Sequence, residues 1–184
     1  MGTNVLCTTL EELTDGQREQ LAALLSRAFA EADAGDAGTF ERRQRHPTLR
    51  EMQGRPPFGA HGTHLIATGS GEFLAHVAFY ERAGALQGSP VRLACIEDVA
   101  TDPTARGRGL ATRLLKLAAD RAGKQGLELG ILWTMQPAFY ERLGWRTWQG
   151  ELSGATRPPL ALPLSAKLRR MGEALFASKL ALQD

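Results

Sequence analysis

Arginine and glycine alternate in Arg106-Gly107-Arg108-Gly109, directly before the apolar pair Leu110-Ala111. The run lies between an apolar stretch, Val91–Val99, and a segment in which Leu110, Leu114, Leu117 and Ala118 mark one helical face. A helix that begins there leaves its first N–H groups without an acceptor inside the helix. Those N–H groups, the positive helix end and the two guanidinium groups together suit a diphosphate. Glycine at 107 and 109 lets the backbone approach the anion with no Cβ in the way. Taken alone, the same residues also suit a solvated basic turn or an RNA contact; their place between strand and helix favours the phosphate cradle. The patterns G-x-G-x-x-G and G-x-x-x-x-G-K-[ST] are absent, which argues against NAD and ATP.

Two further groups carry chemistry. Ile96-Glu97-Asp98-Val99 sets two carboxylates on opposite faces of a strand, one inward and the other not. Gln136 to Trp145, QPAFYERLGW, reads as a short helix stopped at Gly144 before a strand begins. An isolated Tyr140 would be a packing residue. Following the cradle by about thirty residues, it takes on a functional reading.

The elements that must hold these groups are legible in outline. Thr14 and Gln17 form a capping box for a helix over 15–32, with Leu21, Leu24, Leu25, Ala28 and Phe29 at helical spacing. Residues 33–62 mix acids, bases, Gly and Pro, as in a long surface segment with one short helix, either lining a substrate site or serving as a plain loop. His64–Thr68 and Phe73–Glu81 form a hairpin around Gly69-Ser70-Gly71. A strand over 91–101 leads into a helix over 107–122. A buried strand follows at Leu127–Trp133, then a helix at Pro137–Leu143 and a strand at Trp145–Leu152. Leu160–Leu164 reads as a last edge strand despite Pro163, and Lys167–Leu182 as a Leu-rich helix. This order gives an α/β (α+β) fold with a mixed sheet and a parallel crossover, in a single domain spanning 1–184.

The 184 residues, 43% hydrophobic, are enough to bury a core. The net charge of +2 is too balanced to imply nucleic-acid binding, and no apolar run is long enough to cross a bilayer. Cys7 and Cys95 lack metal-ligand spacing, and Cys95 reads as a buried thiol, so no metal is expected. No secretory or myristoylation pattern opens the chain, and the expected location is cytoplasmic.

Together the two blocks resemble the GNAT superfamily of acyl-CoA-dependent N-acetyltransferases. The family's R/Q-x-x-G-x-G/A loop is matched by Arg106, Gly109 and Ala111, the usual strand end by Val99-Ala100-Thr101-Asp102-Pro103, and the tyrosine helix by FYERLGW. The resemblance implies a mixed central sheet flanked by helices, with the fourth and fifth strands splayed to admit acetyl-CoA as co-substrate. Main-chain groups of Val99, Ala100 and Thr101 would pair with the pantetheine arm. The N–H groups of Arg106, Gly107, Arg108, Gly109, Leu110 and Ala111, joined by Thr112, would hold the pyrophosphate. An aliphatic amine, with a pKa near ~10, must lose a proton before it attacks the thioester, and Glu97 is the expected base, though it could instead only pair with an arginine. Tyr140 would protonate the leaving thiolate, whose acid lies near ~8.5.

Within that superfamily, Ile96-Glu97-Asp98-Val99, Leu129-Gly130-Ile131-Leu132 and Phe139 to Trp148 look similar to aminoglycoside 2'-N-acetyltransferases. Trp133 and Thr134 stand where those enzymes carry small polar residues, and their acidic C-terminal segment is missing here. Glu31, Asp33 and Asp36 are the acids that could meet a cationic acceptor. The resemblance implies acetylation of a small-molecule primary amine, aminoglycoside-like, by a chain that binds neither nucleic acid nor membrane. A protein or peptide amine, and a non-catalytic acetyl-CoA-binding module, are the alternatives. The family commonly pairs subunits, so a homodimer is a further expectation; the helix Lys167–Leu182 either supplies its contact or folds back on the chain's own sheet.

Overall fold

The computed structural model describes residues 2–33, 46–59 and 61–183, and Asp36 lies outside them. The fold is mixed α/β, with a central mixed sheet flanked by helices. Its strands are β1 (Asn4–Thr8), β2 (Thr63–Gly69), β3 (Glu72–Leu86), β4 (Ser89–Thr101), β5 (Leu129–Leu132), β6 (Arg146–Thr147), β7 (Leu152–Ser153), β8 (Leu160–Pro163) and β9 (Leu180–Leu182). The helices are α1 (Asp15–Asp33), α2 (Pro47–Met52), α3 (Leu110–Lys124), α4 (Pro137–Glu141), α5 (Ala166–Met171) and α6 (Glu173–Phe176). By internal contacts the chain divides into two compact units, one of Met1–Phe79 with Glu97–Ala118, the other of Tyr80–Ile96 with Ala119–Asp184.

In the first unit, α1 starts on the expected capping box: Gln17 Oε1 accepts from the Thr14 N–H (3.0 Å) and Thr14 Oγ1 from the Gln17 N–H (3.3 Å). Its Leu21, Leu24 and Leu25 bury against Ile66, Phe73 and Ala100. The hairpin forms as read, turning at Ser70 (φ 53°) and Gly71 (φ 82°), with a register shift between Ala67 and Thr68. Strand β1, which the sequence reading does not anticipate, pairs antiparallel with β2. The segment read as a surface stretch contributes α2 and a 3-10 turn at Pro57–Gly59.

The second unit is built on a core of Leu93, Cys95, Leu129, Ile131, Trp148, Leu175, Phe176 and Leu180. Cys95 is buried as expected. Strands β4 and β5 pair in parallel over Leu93–Cys95 with Leu129–Ile131, while β4 continues to Thr101. Such a short parallel ladder suits strands that splay.

Four local expectations need correction. Helix α3 begins at Leu110, and Leu117, placed on the packed face, is 38% exposed; Leu115 takes its place in the interior. The strand expected over Trp145–Leu152 is two short strands, because Trp148 turns into the core and its indole N–H reaches the Ser178 carbonyl (3.1 Å). Strand β8 lies between β5 and β6 and is no edge; Pro163 is tolerated because the β6 ladder covers only Leu160 and Ala161. The helix expected over Lys167–Leu182 breaks at Gly172 (φ 56°, ψ −131°) into α5 and α6, and its end becomes β9, antiparallel to β3 and parallel to β7. Its leucines fill this unit's own core.

Candidate active site

The cradle is prepared by the turn before it. The Asp102 carboxylate caps the 3-10 turn Pro103–Ala105, accepting from the Thr104 N–H (3.0 Å) and hydroxyl (2.6 Å), and takes Arg27 Nε at 2.8 Å. These bonds, the Thr104 hydroxyl foremost, hold the carboxyl below the ordinary Asp range. Gly107 and Gly109 then run at φ 76° and 71°, with nothing within 4 Å of where a Cβ would stand. The stretch 106–109 is exposed. The Arg113 N–H bonds the Gly109 carbonyl (3.0 Å), so the N–H groups of Leu110, Ala111 and Thr112 come before the first bond made inside the helix. A diphosphate fits this arrangement: open backbone, the N-terminus of a 15-residue helix, and flanking arginines. Arg106 also donates to the Ala28 carbonyl (3.3 Å), which ties the loop to α1.

Strand β4 enters this loop through Asp98, a non-glycine residue at φ 47°. Left-handed backbone costs such a residue about 1 kcal/mol or more unless its surroundings hold it. Here both ends of Asp98 are held. Its carbonyl accepts from His76 Nδ1 (2.9 Å), and its buried carboxylate bonds His46 Nδ1 (2.8 Å) and the Thr48 N–H (2.8 Å). The bond from Thr48 caps the first turn of α2 from β4. Burial by itself would raise the Asp98 pKa; the bonds from His46 and Thr48 outweigh it and keep it lowered, so the group is a carboxylate.

The proton positions follow. A carbonyl can only accept, so His76 carries its proton on Nδ1, and burial and the neighbouring His64 push its pKa down to about 3, leaving the ring neutral. His76 Nε2 must then accept, and the group 3.0 Å away is His64 Nδ1, which donates. On the other side of the ring, His64 Nε2 faces Glu51 Oε2 at 3.2 Å. Glu51 Oε1 takes the Gly62 N–H (3.1 Å). A buried chain Glu51–His64–His76 thus ends on the carbonyl of Asp98.

Tyr140 sits on α4, whose end is a Schellman cap: the Gly144 N–H bonds Glu141 O (3.0 Å) and the Trp145 N–H bonds Tyr140 O (3.2 Å), with Gly144 at φ 90°. Tyr140 is buried between the edges of Phe139 and Trp145. Trp145 lies over Gly130, where a Cβ would stand 2.9 Å from the indole. The Trp133 indole N–H bonds the Arg157 carbonyl (3.0 Å), and Thr134 Oγ1 accepts the Gln136 N–H (2.9 Å).

Among the expected site residues, Glu97, Val99, Ala100, Thr101 and the loop 106–112 belong to the first unit; Trp133, Thr134 and Tyr140 belong to the second. Glu97 is half-buried and Asp98 buried, so Asp98 is the inward carboxylate of the pair. Glu31 and Asp33 lie in the last turn of α1. The sequence reading missed His46, Glu51, His64 and His76. Two histidines in the apolar strands of the hairpin were the available signal. Among the described residues no three His, Cys, Asp or Glu converge as a metal site, and no helix is long and apolar enough to cross a membrane.

The comparisons agree with this geometry. Escherichia coli YhbS, a GNAT family N-acetyltransferase solved with CoA, superposes with a TM-score of 0.64 at 20% identity, over 100% of this chain and 92% of its own. A Brucella melitensis GNAT family acetyltransferase solved with acetyl-CoA gives 0.60 at 15% identity, over 88% and 89%. Aminoglycoside 2'-N-acetyltransferase of Mycolicibacterium fortuitum is 31% identical over 105 residues, 53% of each chain, so this chain spans about half the length of that curated relative. A family model described as an acetyltransferase (GNAT) domain matches residues 9–148, which contain the strand–loop–helix cradle and the tyrosine helix: the chain belongs to the GNAT acetyltransferase family.

Proposed function

We propose that this protein transfers the acetyl group of acetyl-CoA to a primary amine by direct attack on the thioester. The observation that carries this reading is the loop Arg106–Ala111, with open glycine backbone at the start of α3 and directly after β4. Its N–H groups, with that of Thr112, hold the pyrophosphate, and the main chain of Val99–Thr101 pairs with the pantetheine. Tyr140 returns a proton to the departing thiolate; the pKa gap between a phenol and a thiol is about 1.5 units, a modest cost. The acceptor is a small-molecule amine, and an aminoglycoside is the first to try, because the curated relative carries that name over the matched half. Trp133 and Thr134, directly after β5, are the proposed acceptor contacts.

CoA-thiol release, followed across an aminoglycoside, a polyamine and a lysine peptide, tests the reading. Acetyl-CoA should raise the melting temperature, and Tyr140→Phe should lower kcat about 10-fold or more with acetyl-CoA affinity unchanged. Acetyl-CoA binding without turnover of any amine would make this a binding module. No binding at all would end every acyl-CoA reading.

A further inference from the structure

Resting on that acetyl-transfer reading, we infer that His76 positions the thioester arm of the cofactor. From β3 it donates to the Asp98 carbonyl (2.9 Å) and holds the left-handed turn there (φ 47°). That turn aims the main chain of Val99–Thr101, the segment assigned to pantetheine. Glycine would take such a backbone freely, but it would bring no carboxylate to the Thr48 N–H and His46. A residue kept for its side chain must have its strained backbone held from outside, and the bond from His76 does so. A carbonyl can only accept, so Nδ1 donates whether the imidazole is neutral or charged. The ring is fully buried, and His64 Nδ1 stands 3.0 Å from its other nitrogen, so both nitrogens are engaged.

Two further observations point the same way. An apolar residue, like the neighbouring Ala75 and Val77, would occupy β3 without the burial cost that pushes the His76 pKa down to about 3. What the imidazole supplies there is a donor directed at one carbonyl. Strand β3 also fixes the far end of the segment, where the Asp102 N–H bonds the Leu74 carbonyl (2.9 Å). Val99–Thr101 thus runs between two bonds from one strand, with Ala100 buried and its two neighbours half-buried, and all of these groups lie in the first unit. Hydrogen bonds weaken steeply below about 120°, so pantetheine amides pair with this stretch only while its N–H and C=O groups keep their direction. Releasing the peptide at Asp98 lets them turn. The glycine turn at 107–109 and the start of α3 do not depend on that peptide, so the pyrophosphate site should survive the loss of His76.

The test is calorimetric titration with acetyl-CoA and, separately, with ADP, which carries a diphosphate and no pantetheine. The proteins are wild type, His76→Leu, His76→Asn, Asp98→Gly and the double variant Asp98→Gly with His76→Leu, each checked for folding by thermal melting. Leucine has no donor, while asparagine sets an N–H close to where Nδ1 stands. His76→Leu should bind acetyl-CoA about 10-fold more weakly, with ADP affinity unchanged. Turnover of a panel amine should show the acetyl-CoA KM rising more than kcat falls. His76→Asn should recover most of the loss. In the Asp98→Gly background, where the left-handed backbone costs little, His76→Leu should weaken acetyl-CoA by less than about threefold. A leucine variant that does not fold is replaced by His76→Ala. The positioning role is overturned if the folded variant without a donor binds acetyl-CoA within about threefold of wild type, if ADP weakens in step with acetyl-CoA, or if the loss is as large in the Asp98→Gly background. Wild type that does not bind acetyl-CoA overturns the acetyl-transfer reading itself, and the positioning role with it.

Discussion

His76 shows how one buried side chain reports on the site. Burial and the adjacent His64 bring its pKa down to about 3 in the folded protein, against ~6.5 in an unfolded chain. Between those values the unfolded chain binds the extra proton and the folded one does not. The His76 contribution is therefore complete above pH 6.5 and declines as the pH falls toward 3, by about 1.4 kcal/mol per unit. Urea melts from pH 7 to 4 should show this decline in wild type. His76→Gln, which can still offer an N–H to the Asp98 carbonyl, should start about 1–3 kcal/mol lower and lose less on acidification. Equal pH slopes in the two proteins would contradict the proton assignment of the whole Glu51–His64–His76 chain.

At the scale of elements, two glycines make opposite demands. Gly109 has open space around it but a backbone at φ 71°, so Gly109→Val is expected to cost about 1–2 kcal/mol of stability and to weaken CoA binding more than it lowers the melting temperature. Gly130 raises no question of φ; its difficulty is the Trp145 indole 2.9 Å from the added Cβ. Gly130→Val should therefore destabilise by about 1–3 kcal/mol through overpacking, with little change in CoA affinity, as read by urea melts and calorimetric titration. Both elements were legible. The capping box of α1, the hairpin turn and the stop at Gly144 are local hydrogen-bond patterns written within a few residues, and all three formed as read. The leucine spacing of 167–182 misled because Leu175 and Leu182 fit a helix and a strand equally well over so short a run. Gly172 and pairing with β3 and β7 decided between them.

For the molecule as a whole, the second unit depends on the Leu-rich segment 167–182, which folds back onto its own sheet and is not one continuous helix. Trp148 is 1% exposed and packs beside Phe176, with Leu175 and Leu180 fully buried in the same core. Trp148→Ala should cost about 3–5 kcal/mol, and removing residues 172–183 should cost at least as much, since that deletion empties the same core and strips β9 from β3. Equilibrium unfolding in urea checks both, and a shortened chain as stable as wild type would contradict the role given to β9. The sequence by itself determined the glycine turn ahead of α3, the tyrosine helix and the family, because each depends on residues close together in the chain. It could not show the polar chain behind the cradle. Counted back from the turn at Gly69-Ser70-Gly71, His64 and His76 fall on opposite faces of the hairpin. The register shift between Ala67 and Thr68 carries His76 to the face of His64, and only then does a histidine pair reach Asp98. One extra residue in a strand has no local signature strong enough to read, yet it reverses every side chain beyond it, so that decision belonged to the tertiary structure alone.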